Sequence, residues 1–367
     1  MPPRSSHRFV TMILAAAAVL VAGAARAEDA PRFQVDPFWP KPLPNEWIVG
    51  QVAGVAVDKN DHVWIIHRPG TILDDEKEAL KAPPSARCCH PAPPVMEFDQ
   101  DGNLLRHWGG PGQGYDWPKS EHGIFVDNDG NVWLAGNDPN DAQILKFTGD
   151  GEFLQQIGHA GHSDGSNSKD TLGRPAHMML DEAAGELYVA DGYKNHRVIV
   201  FDAKTGAYKR HWGAYGNAPS DDKQPPYSPA AAPPQQFGNP VHCVRLSHDG
   251  LLYVCDRAND RIQVFHKDGK FVKEFRIEPQ TLANGSVWDA VISNDPQQRY
   301  LFVVDGANEQ ALVVSRETGE VLSRFGGPGR MAGQFKWVHN LAIDSKGSLY
   351  ATEVGTGRRV QRFKRIN

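Results

Sequence analysis

The sequence lacks the features of a protein that binds polyanions. Its formal net charge is −5 and its pI is near 6.3. Charged residues are spread along the chain instead of forming runs. This composition disfavours nucleic acid and anionic lipid as partners, and it favours a small-molecule or peptide substrate. After residue 27 no apolar run is long enough to cross a bilayer, so we expect no membrane span in the mature chain.

Cysteine is also scarce, with four in 367 residues. An even number in an exported chain permits disulfides, but the sequence leaves their pairing open. Cys243 and Cys255 lie on the two arms of one predicted hairpin and could face each other. Cys88 and Cys89 are adjacent in a loop, where they could form a vicinal disulfide, bind a soft metal with His90, or be free. Of these we favour a plain structural role.

The first 27 residues predict export. Two arginines are followed by an apolar run over residues 9–24 and by Ala-Arg-Ala at residues 25–27. This order is typical of a secretory signal peptide, and the short, small-residue-rich run makes a permanent anchor the weaker alternative. We therefore expect residues 1–27 to be a signal peptide and the mature protein to be periplasmic or secreted.

The rest of the chain repeats a unit of about forty residues. The fullest copy, residues 238–275, alternates apolar residues with tight Asp-Gly turns, which is typical of stacked antiparallel hairpins. Six copies predict an all-β fold, a six-bladed β-propeller, as a single domain over residues 28–367. The last copy lacks its fourth strand, so we expect residues 32–36 to supply it and close the ring.

Two segments interrupt the repeat. Residues 69–93 separate the second and third strands of the first blade, and residues 216–236 separate blades three and four. Proline, serine and alanine dominate both segments, so we expect neither to form regular structure. A closed propeller has no free sheet edge to share, which favours a monomer.

Alignment of the six copies places histidine at one position of alternate blades. These residues, called the channel histidines below, are His122, His242 and His339; the other blades have Ala53, Ala176 and Trp288 at this position. Inner strands line the axial channel, so three imidazoles would converge from directions about 120° apart. Such a site suits zinc with a fourth position open. The alternative is three unrelated histidines among 15. His177 is one residue out of this register and should point elsewhere.

A second register lies at the end of the second strand, where Arg68, Tyr193 and Arg257 occur. In an antiparallel hairpin this end returns beside the start of the first strand, so these residues should rim the mouth that holds the channel histidines. Arginine can clamp a substrate carboxylate, and a phenol beside a metal is a candidate general base. Alternatively, each arginine could pair with a nearby aspartate, as Arg257 could with Asp256 or Asp260.

Five segments that carry these positions resemble the peptidyl-α-hydroxyglycine α-amidating lyases, which are NHL-type six-bladed propellers. The segments are GQVAGVAVDKNDHVWIIHRPG, EHGIFVDNDGNVWL, ADGYKNHRVIVF, NPVHCVRLSHDGLLYVCDRANDRIQVF and VHNLAIDSKGSLY. The resemblance implies Zn²⁺ bound by the channel histidines, catalytic roles for Arg68 and Tyr193, and substrate binding by Arg257. It also implies cleavage of a carbinolamide C–N bond, which releases a peptide amide and glyoxylate.

The resemblance further implies a structural Ca²⁺ on the axis. The matching positions are the backbone carbonyls of Val55 and Ile124 and a carboxylate position that is Asn340 here. Loss of that carboxylate weakens the case for a hard cation. The segment 69–93 follows a strand that ends at the mouth, so it should overhang the site.

Three hypotheses follow from the sequence. The first is a zinc-dependent lyase, or a hydrolase derived from one, that acts on a hydroxylated, carboxylate-bearing compound. The second is a calcium-dependent lactonase-type hydrolase, which metal identity would distinguish from the first. The third is an NHL-propeller scaffold that binds proteins without catalysis, and this hypothesis predicts that removal of the channel histidines has no effect on activity.

Overall fold

The computed structural model describes residues 30–367, so the predicted signal peptide lies outside the described residues. In chain order the strands are β1 (Phe33–Asp36), β2 (Trp47–Ile48), β3 (Gln51–Val57), β4 (Val63–Arg68), β5 (His90–Pro91), β6 (Val95–Phe98), β7 (Leu104–Trp108), β8 (Glu121–Val126), β9 (Val132–Gly136), β10 (Gln143–Phe147), β11 (Phe153–Gly158), β12 (Pro175–Asp181), β13 (Glu186–Asp191), β14 (Arg197–Asp202), β15 (Tyr208–Trp212), β16 (Val241–Leu246), β17 (Leu251–Asp256), β18 (Arg261–His266), β19 (Phe271–Arg276), β20 (Asp289–Ile292), β21 (Tyr300–Asp305), β22 (Gln310–Ser315), β23 (Val321–Gly326), β24 (Val338–Ile343), β25 (Leu349–Glu353) and β26 (Arg359–Arg365). Short 3-10 helices span Pro69–Thr71, Asp74–Glu76, Glu78–Leu80, Ala214–Gly216 and Arg257–Asn259.

These strands form six four-stranded sheets, which confirms the predicted six-bladed propeller. The sheets are β3-β4-β6-β7, β8 to β11, β12 to β15, β16 to β19, β20 to β23, and β24-β25-β26-β1. Their innermost strands contact one another in a closed order from β3 through β8, β12, β16, β20 and β24 back to β3. The start of each inner strand and the end of each second strand therefore meet on one face of the ring, here called the upper face.

The N-terminal strand closes the ring as the sequence predicts. β1 pairs antiparallel with β26, so that Phe33 lies opposite Arg365 and Asp36 lies opposite Arg362. The ring of Phe33 also packs on Phe302 of the fifth blade, with their centroids 5.3 Å apart. Strand pairing places β1 and β26 in one sheet, and the aromatic contact packs β1 against the fifth blade.

The turns between the first and second strands are stabilised by side chains of the repeat itself. Asp127 accepts a hydrogen bond of 3.0 Å from the indole nitrogen of buried Trp133, and Asp58 accepts one of 3.1 Å from Trp64. The aspartates also accept backbone N–H groups of their own turns. These contacts explain why aspartate recurs at the turn: it satisfies local donors that would otherwise be buried unpaired.

Both insertions lie on the upper face. The segment 69–93 joins β4 to β6. The expectation that it has no regular structure is wrong, because it contains three short 3-10 helices and the strand β5, which pairs in parallel with β2. Glu76 in this segment forms a two-pronged ion pair with Arg358 of the sixth blade, so the segment spans two blades. His67 anchors its far end, because Nε2 donates to the carbonyl of Pro93 at 3.1 Å.

The four cysteines form two disulfides. Cys243 and Cys255 lie opposite each other on β16 and β17 and are bonded, as their hairpin placement permits. Of the alternatives left open for Cys88 and Cys89, the structure has the vicinal disulfide. Disulfides are typical of proteins from oxidising compartments. Within residues 30–367, no helix has the length and apolar character needed to cross a bilayer.

Candidate metal centre at the channel mouth

Each channel histidine lies at an irregularity in its strand. The pairing of inner and second strands shifts between Glu121 and Ile124, between Val241 and Cys243, and between Val338 and Asn340. A bulge inserts an extra residue and re-aims its side chain. The bulges therefore explain how histidines at the start of inner strands turn toward the axis.

The three imidazoles form a nearly equilateral triangle. Their ring centroids are 4.8 Å apart for His122 and His339, 5.0 Å for His242 and His339, and 5.1 Å for His122 and His242. Each residue is at most 2% exposed. One ring nitrogen from each lies within 4.8 Å of the others, so the cluster could hold a metal ion. The structure thus brings together the three residues that the repeat register selected.

A backbone carbonyl of the neighbouring blade fixes the orientation of each ring. Nδ1 of His122 donates to the carbonyl of Ala176 at 2.8 Å, and Nδ1 of His339 donates to that of Ala53 at 2.7 Å. Nδ1 of His242 donates in the same way to Trp288. A carbonyl oxygen can only accept, so Nδ1 carries the proton and Nε2 keeps its lone pair. Such outer partners are what metal-binding histidines use.

Burial keeps these imidazoles neutral. Burial, together with the nearby guanidinium groups of Arg68 and Arg257, lowers the pKa of His339 from the usual 6.5 to about 3. Burial also lowers the pKa values of His122 and His242 well below the usual range. A neutral imidazole is the form that binds a metal, so the cluster is ready for a ligand role near neutral pH.

The phenol of Tyr193 lies against two of these lone pairs. Its hydroxyl oxygen is 3.0 Å from Nε2 of His122 and 2.9 Å from Nε2 of His242. Nη1 of Arg257 donates to the same oxygen at 3.4 Å. The predicted base therefore lies beside the predicted metal ligands and beside a positive charge.

Arg68 lies at the same mouth and bonds only neutral groups there. It donates from Nε to the carbonyl of Glu121 at 2.8 Å, from Nη1 to the side chain of Gln51 at 2.8 Å, and from Nη2 to that of Asn137 at 3.1 Å. Within residues 30–367 it forms no ion pair. Its guanidinium is thus held in place by neutral partners, which leaves its charge able to bind a carboxylate.

Arg257 is likewise not paired with the aspartates that were its alternative partners. Asp256 accepts instead from Arg261 at 2.7 Å, and Asp260 accepts from the backbone N–H of Ser286 at 2.7 Å. The guanidinium of Arg257 lies 4.3 Å from the ring of Trp288, and its Nε is buried without a partner among the described residues. The aromatic ring holds the arginine while leaving donors unused.

Arg174 belongs to this network but was missed by the sequence analysis. Its guanidinium lies 5.5 Å from the ring of Tyr193, and its Nε donates to the carbonyl of Asn137 at 2.7 Å. It therefore links the tyrosine loop to the residue that holds Arg68. Arg174 lies in a connection between blades, outside both repeat registers, so the alignment of copies gave no signal for it.

His177 is not part of the cluster, in agreement with its displaced register. It lies on β12 opposite Ala190, and burial together with the nearby charge of Arg245 lowers its pKa well below the usual range. The roles assigned to the channel histidines and to the tyrosine and arginines of the mouth stay predictions.

Protein contacts involve the residue at the carboxylate position suggested for calcium, Asn340, and its partners Arg245 and Asp289; these three residues are called the axial network below. The amide oxygen of Asn340 accepts the N–H of Val55 at 3.0 Å, and its amide nitrogen donates to Asp289 at 2.6 Å. Arg245 donates to the same carboxylate at 2.6 Å. These residues do not fit Ca²⁺, because the one side-chain oxygen of Asn340 is engaged and a guanidinium already neutralises Asp289.

The sequence of this chain is similar to those of several known proteins. No family model matches the chain. It is 28% identical over 313 residues to peptidyl-glycine alpha-amidating monooxygenase B of Xenopus laevis, covering 82% of this chain and 32% of that protein. It is 25% identical over 327 residues to the probable peptidyl-alpha-hydroxyglycine alpha-amidating lyase pgal-1 of Caenorhabditis elegans, covering 84% and 81%. It is 25% identical over 361 residues to NHL repeat-containing protein 3 of Mus musculus, covering 92% and 85%.

The chain spans about a third of the length of the amidating monooxygenases that it matches. Among solved structures, virginiamycin B lyase from Staphylococcus aureus aligns with a TM-score of 0.50 at 16% identity, covering 91% of this chain and 89% of that one. At this identity the likeness supports the fold alone. The chain is therefore a six-bladed β-propeller whose sequence is similar to those of peptidyl-α-hydroxyglycine α-amidating lyases and NHL repeat-containing protein 3.

Proposed function

We propose that this protein is a zinc-dependent lyase that cleaves the C–N bond of a carbinolamide bearing a carboxylate. The observation that carries the proposal is the set of three Nε2 lone pairs, one from each channel histidine, beside the hydroxyl of Tyr193. Similarity to known amidating lyases supports the choice of reaction. The calcium-dependent alternative has no comparable support, because the axial network engages the residues that would bind that ion.

The donor set suits zinc. Three neutral imidazole nitrogens leave one tetrahedral position open, as catalytic zinc sites do. When bound, the metal would supply a Lewis acid that polarises the substrate hydroxyl. Soft thiolates are not offered, because the cysteines of the chain are in disulfides.

The residues of the mouth can carry the remaining steps. In a deprotonated state, Tyr193 would accept the proton of the substrate hydroxyl, and Arg257 at 3.4 Å stabilises negative charge on that phenol oxygen. As the C–O bond becomes a carbonyl, the C–N electron pair leaves with nitrogen, which takes up the proton that Tyr193 accepted from the hydroxyl. The products are an amide and glyoxylate, so atoms and charge balance. Arg68 and Arg257 would hold the carboxylate.

We also propose that the protein works outside the cytoplasm as a monomer, in the periplasm or after secretion. The two disulfides support an oxidising compartment. The closed ring leaves no inner sheet edge that needs a partner. A peptide or a small acylated glycine derivative would be the substrate.

Metal content and glyoxylate release test the proposal together. Protein purified without chelator is expected to hold about one zinc per chain and to release glyoxylate from N-acyl-α-hydroxyglycines. The His339→Ala variant should lose both properties. His159→Ala, which changes a histidine whose side chain is 88% exposed, is the matched control and should keep both. Absence of bound zinc after incubation with the metal, or equal activity of His339→Ala, would contradict the proposal and favour a non-catalytic scaffold.

A further inference from the structure

A cavity lies beside the channel mouth, on the same upper face. Its volume is about 610 Å³. Asn239 and Ala258 are among its lining residues. Asn239 donates to the backbone carbonyl of Tyr193 at 2.9 Å, and Ala258 directly follows Arg257. The cavity therefore shares a wall with the loops that hold the proposed base and the proposed carboxylate-binding arginine.

The insertion at residues 216–236 forms the outer wall, and the propeller holds it in place. The backbone N–H of Ser166 donates to Asp221 at 2.9 Å, and the side chain of Asn167 donates to the carbonyl of Pro219 at 2.9 Å. At the other end, the hydroxyl of Tyr227 donates to the carbonyl of Pro279 at 2.8 Å. These contacts tie the insertion to two different blade connections, so the cavity is preformed, as ligand sites usually are.

The lining combines polar side chains with an apolar patch that meets solvent. Tyr227 and Leu282 face the cavity together with prolines of the insertion, and Leu282 is 57% exposed. The polar part of the lining includes two aspartates and one lysine, Asp221, Asp222 and Lys223. An exposed leucine beside a tyrosine ring and prolines is a surface that gains from covering by another apolar group.

The acyl group on the amide nitrogen is the part of the proposed substrate that is free to extend toward this cavity. The reacting carbon would lie between the channel histidines and Tyr193. Its carboxylate is a terminal group and would end at the arginines, whereas the acyl group on the amide nitrogen extends away from the reacting carbon. We propose that the cavity binds this acyl group, and that the preferred substrates are α-hydroxyglycines N-acylated by a bulky apolar group. This inference rests on the proposed function.

Turnover of an acyl series tests the inference. The zinc-loaded protein is assayed with N-acetyl-, N-butanoyl- and N-hexanoyl-α-hydroxyglycine, and kcat/KM is measured from glyoxylate release. Full burial of one methylene is worth about a fourfold change, so kcat/KM should rise at least about tenfold from acetyl to hexanoyl. Leu282→Ala and Tyr227→Ala should reduce this gain to below about threefold.

Leu80→Ala is the matched control, because Leu80 is 50% exposed and lies in the other insertion. It should keep the full gain. Equal kcat/KM for all acyl chains, or a gain that is unchanged in Leu282→Ala and Tyr227→Ala, would show that the cavity does not bind the acyl group. Neither result would contradict the proposed lyase activity. Absence of glyoxylate from every compound would overturn the proposed function instead. Equilibrium binding of N-hexanoylglycine and N-acetylglycine is a separate measure, and equal affinities would overturn the cavity whatever the turnover.

Discussion

The propeller axis carries two layers of polar side chains that differ in how fully they are satisfied. In the upper layer each channel histidine uses Nδ1 on a backbone carbonyl, whereas Nε2 of His122 and Nε2 of His242 share a single hydroxyl, that of Tyr193. In the axial network, both ends of the Asn340 amide are bonded, and Asp289 accepts from Arg245, from Asn340 and from a backbone N–H. Both layers cross several blades, and all their residues are buried except Arg245, whose side chain is 14% exposed. A polar cluster becomes a candidate site only where it keeps unused lone pairs or charge.

The two layers also differ in whether their charges are neutralised. The guanidinium of Arg245 and the carboxylate of Asp289 lie 2.6 Å apart and neutralise each other. Arg68 and Arg257 at the mouth bring positive charge without an ion-pair partner among residues 30–367. The axial network therefore joins blades, whereas the upper layer has the positive charge to bind an anionic ligand.

Tyr193→Phe should produce the largest effect, because it removes the group that the upper layer would use in catalysis. Loss of a general base lowers kcat by about 10²- to 10⁴-fold. Zinc content should stay at the level of the unaltered protein, since the channel histidines are untouched. Steady-state kinetics and elemental analysis measure the two quantities. A variant with normal kcat would remove Tyr193 from the reaction, and a variant without zinc would show that its role is to hold the site together.

Arg245→Met should destabilise the fold, because it leaves Asp289 buried without its counter-charge. Loss of one partner of a buried pair costs about 3–5 kcal/mol. Burial already raises the pKa of Asp289 above 3.8, and loss of the guanidinium should raise this pKa further. Protonation then favours the folded variant, so its stability should fall as the pH rises above about 4. Urea unfolding at several pH values measures this dependence.

The matched control for this change is Arg299→Met. Arg299 pairs with Asp295 at 3.2 Å, and its side chain is 41% exposed, so its loss should cost less than about 1 kcal/mol. The double variant Arg245→Met, Asp289→Asn should recover part of the stability. Equal destabilisation by the Arg245 and Arg299 changes would show that the axial pair is no more important than a surface pair.

The sequence predicted the parts of this molecule that repeat. Turn chemistry, hairpin spacing and the histidine register are periodic, so the blades, the closing strand and the meeting of His122, His242 and His339 follow from alignment of the copies. Contacts between unlike positions were out of reach. The Arg245 to Asp289 pair joins two blades, and Arg174 reaches Tyr193 from a blade connection with a positive φ of 63°. Such contacts depend on how blades pack, which no single copy encodes.

Addition of calcium should have the smallest effect on stability. If calcium has no effect, the axial network differs from the channel histidines in needing no metal ion. The midpoint of thermal unfolding is expected to be the same in millimolar calcium and in a chelator selective for calcium, because the guanidinium of Arg245 already supplies positive charge in the axial network.

The double variant Arg245→Ala, Asn340→Asp removes that guanidinium and adds a carboxylate in place of the Asn340 amide. It should gain about 1 kcal/mol when calcium exceeds its Kd severalfold. Calcium stabilisation of the unaltered protein would show that the arginine does not replace the ion. If neither protein responds, the axis has lost the geometry for calcium as well as the charge, since a matching set of ligands is needed in addition to a carboxylate.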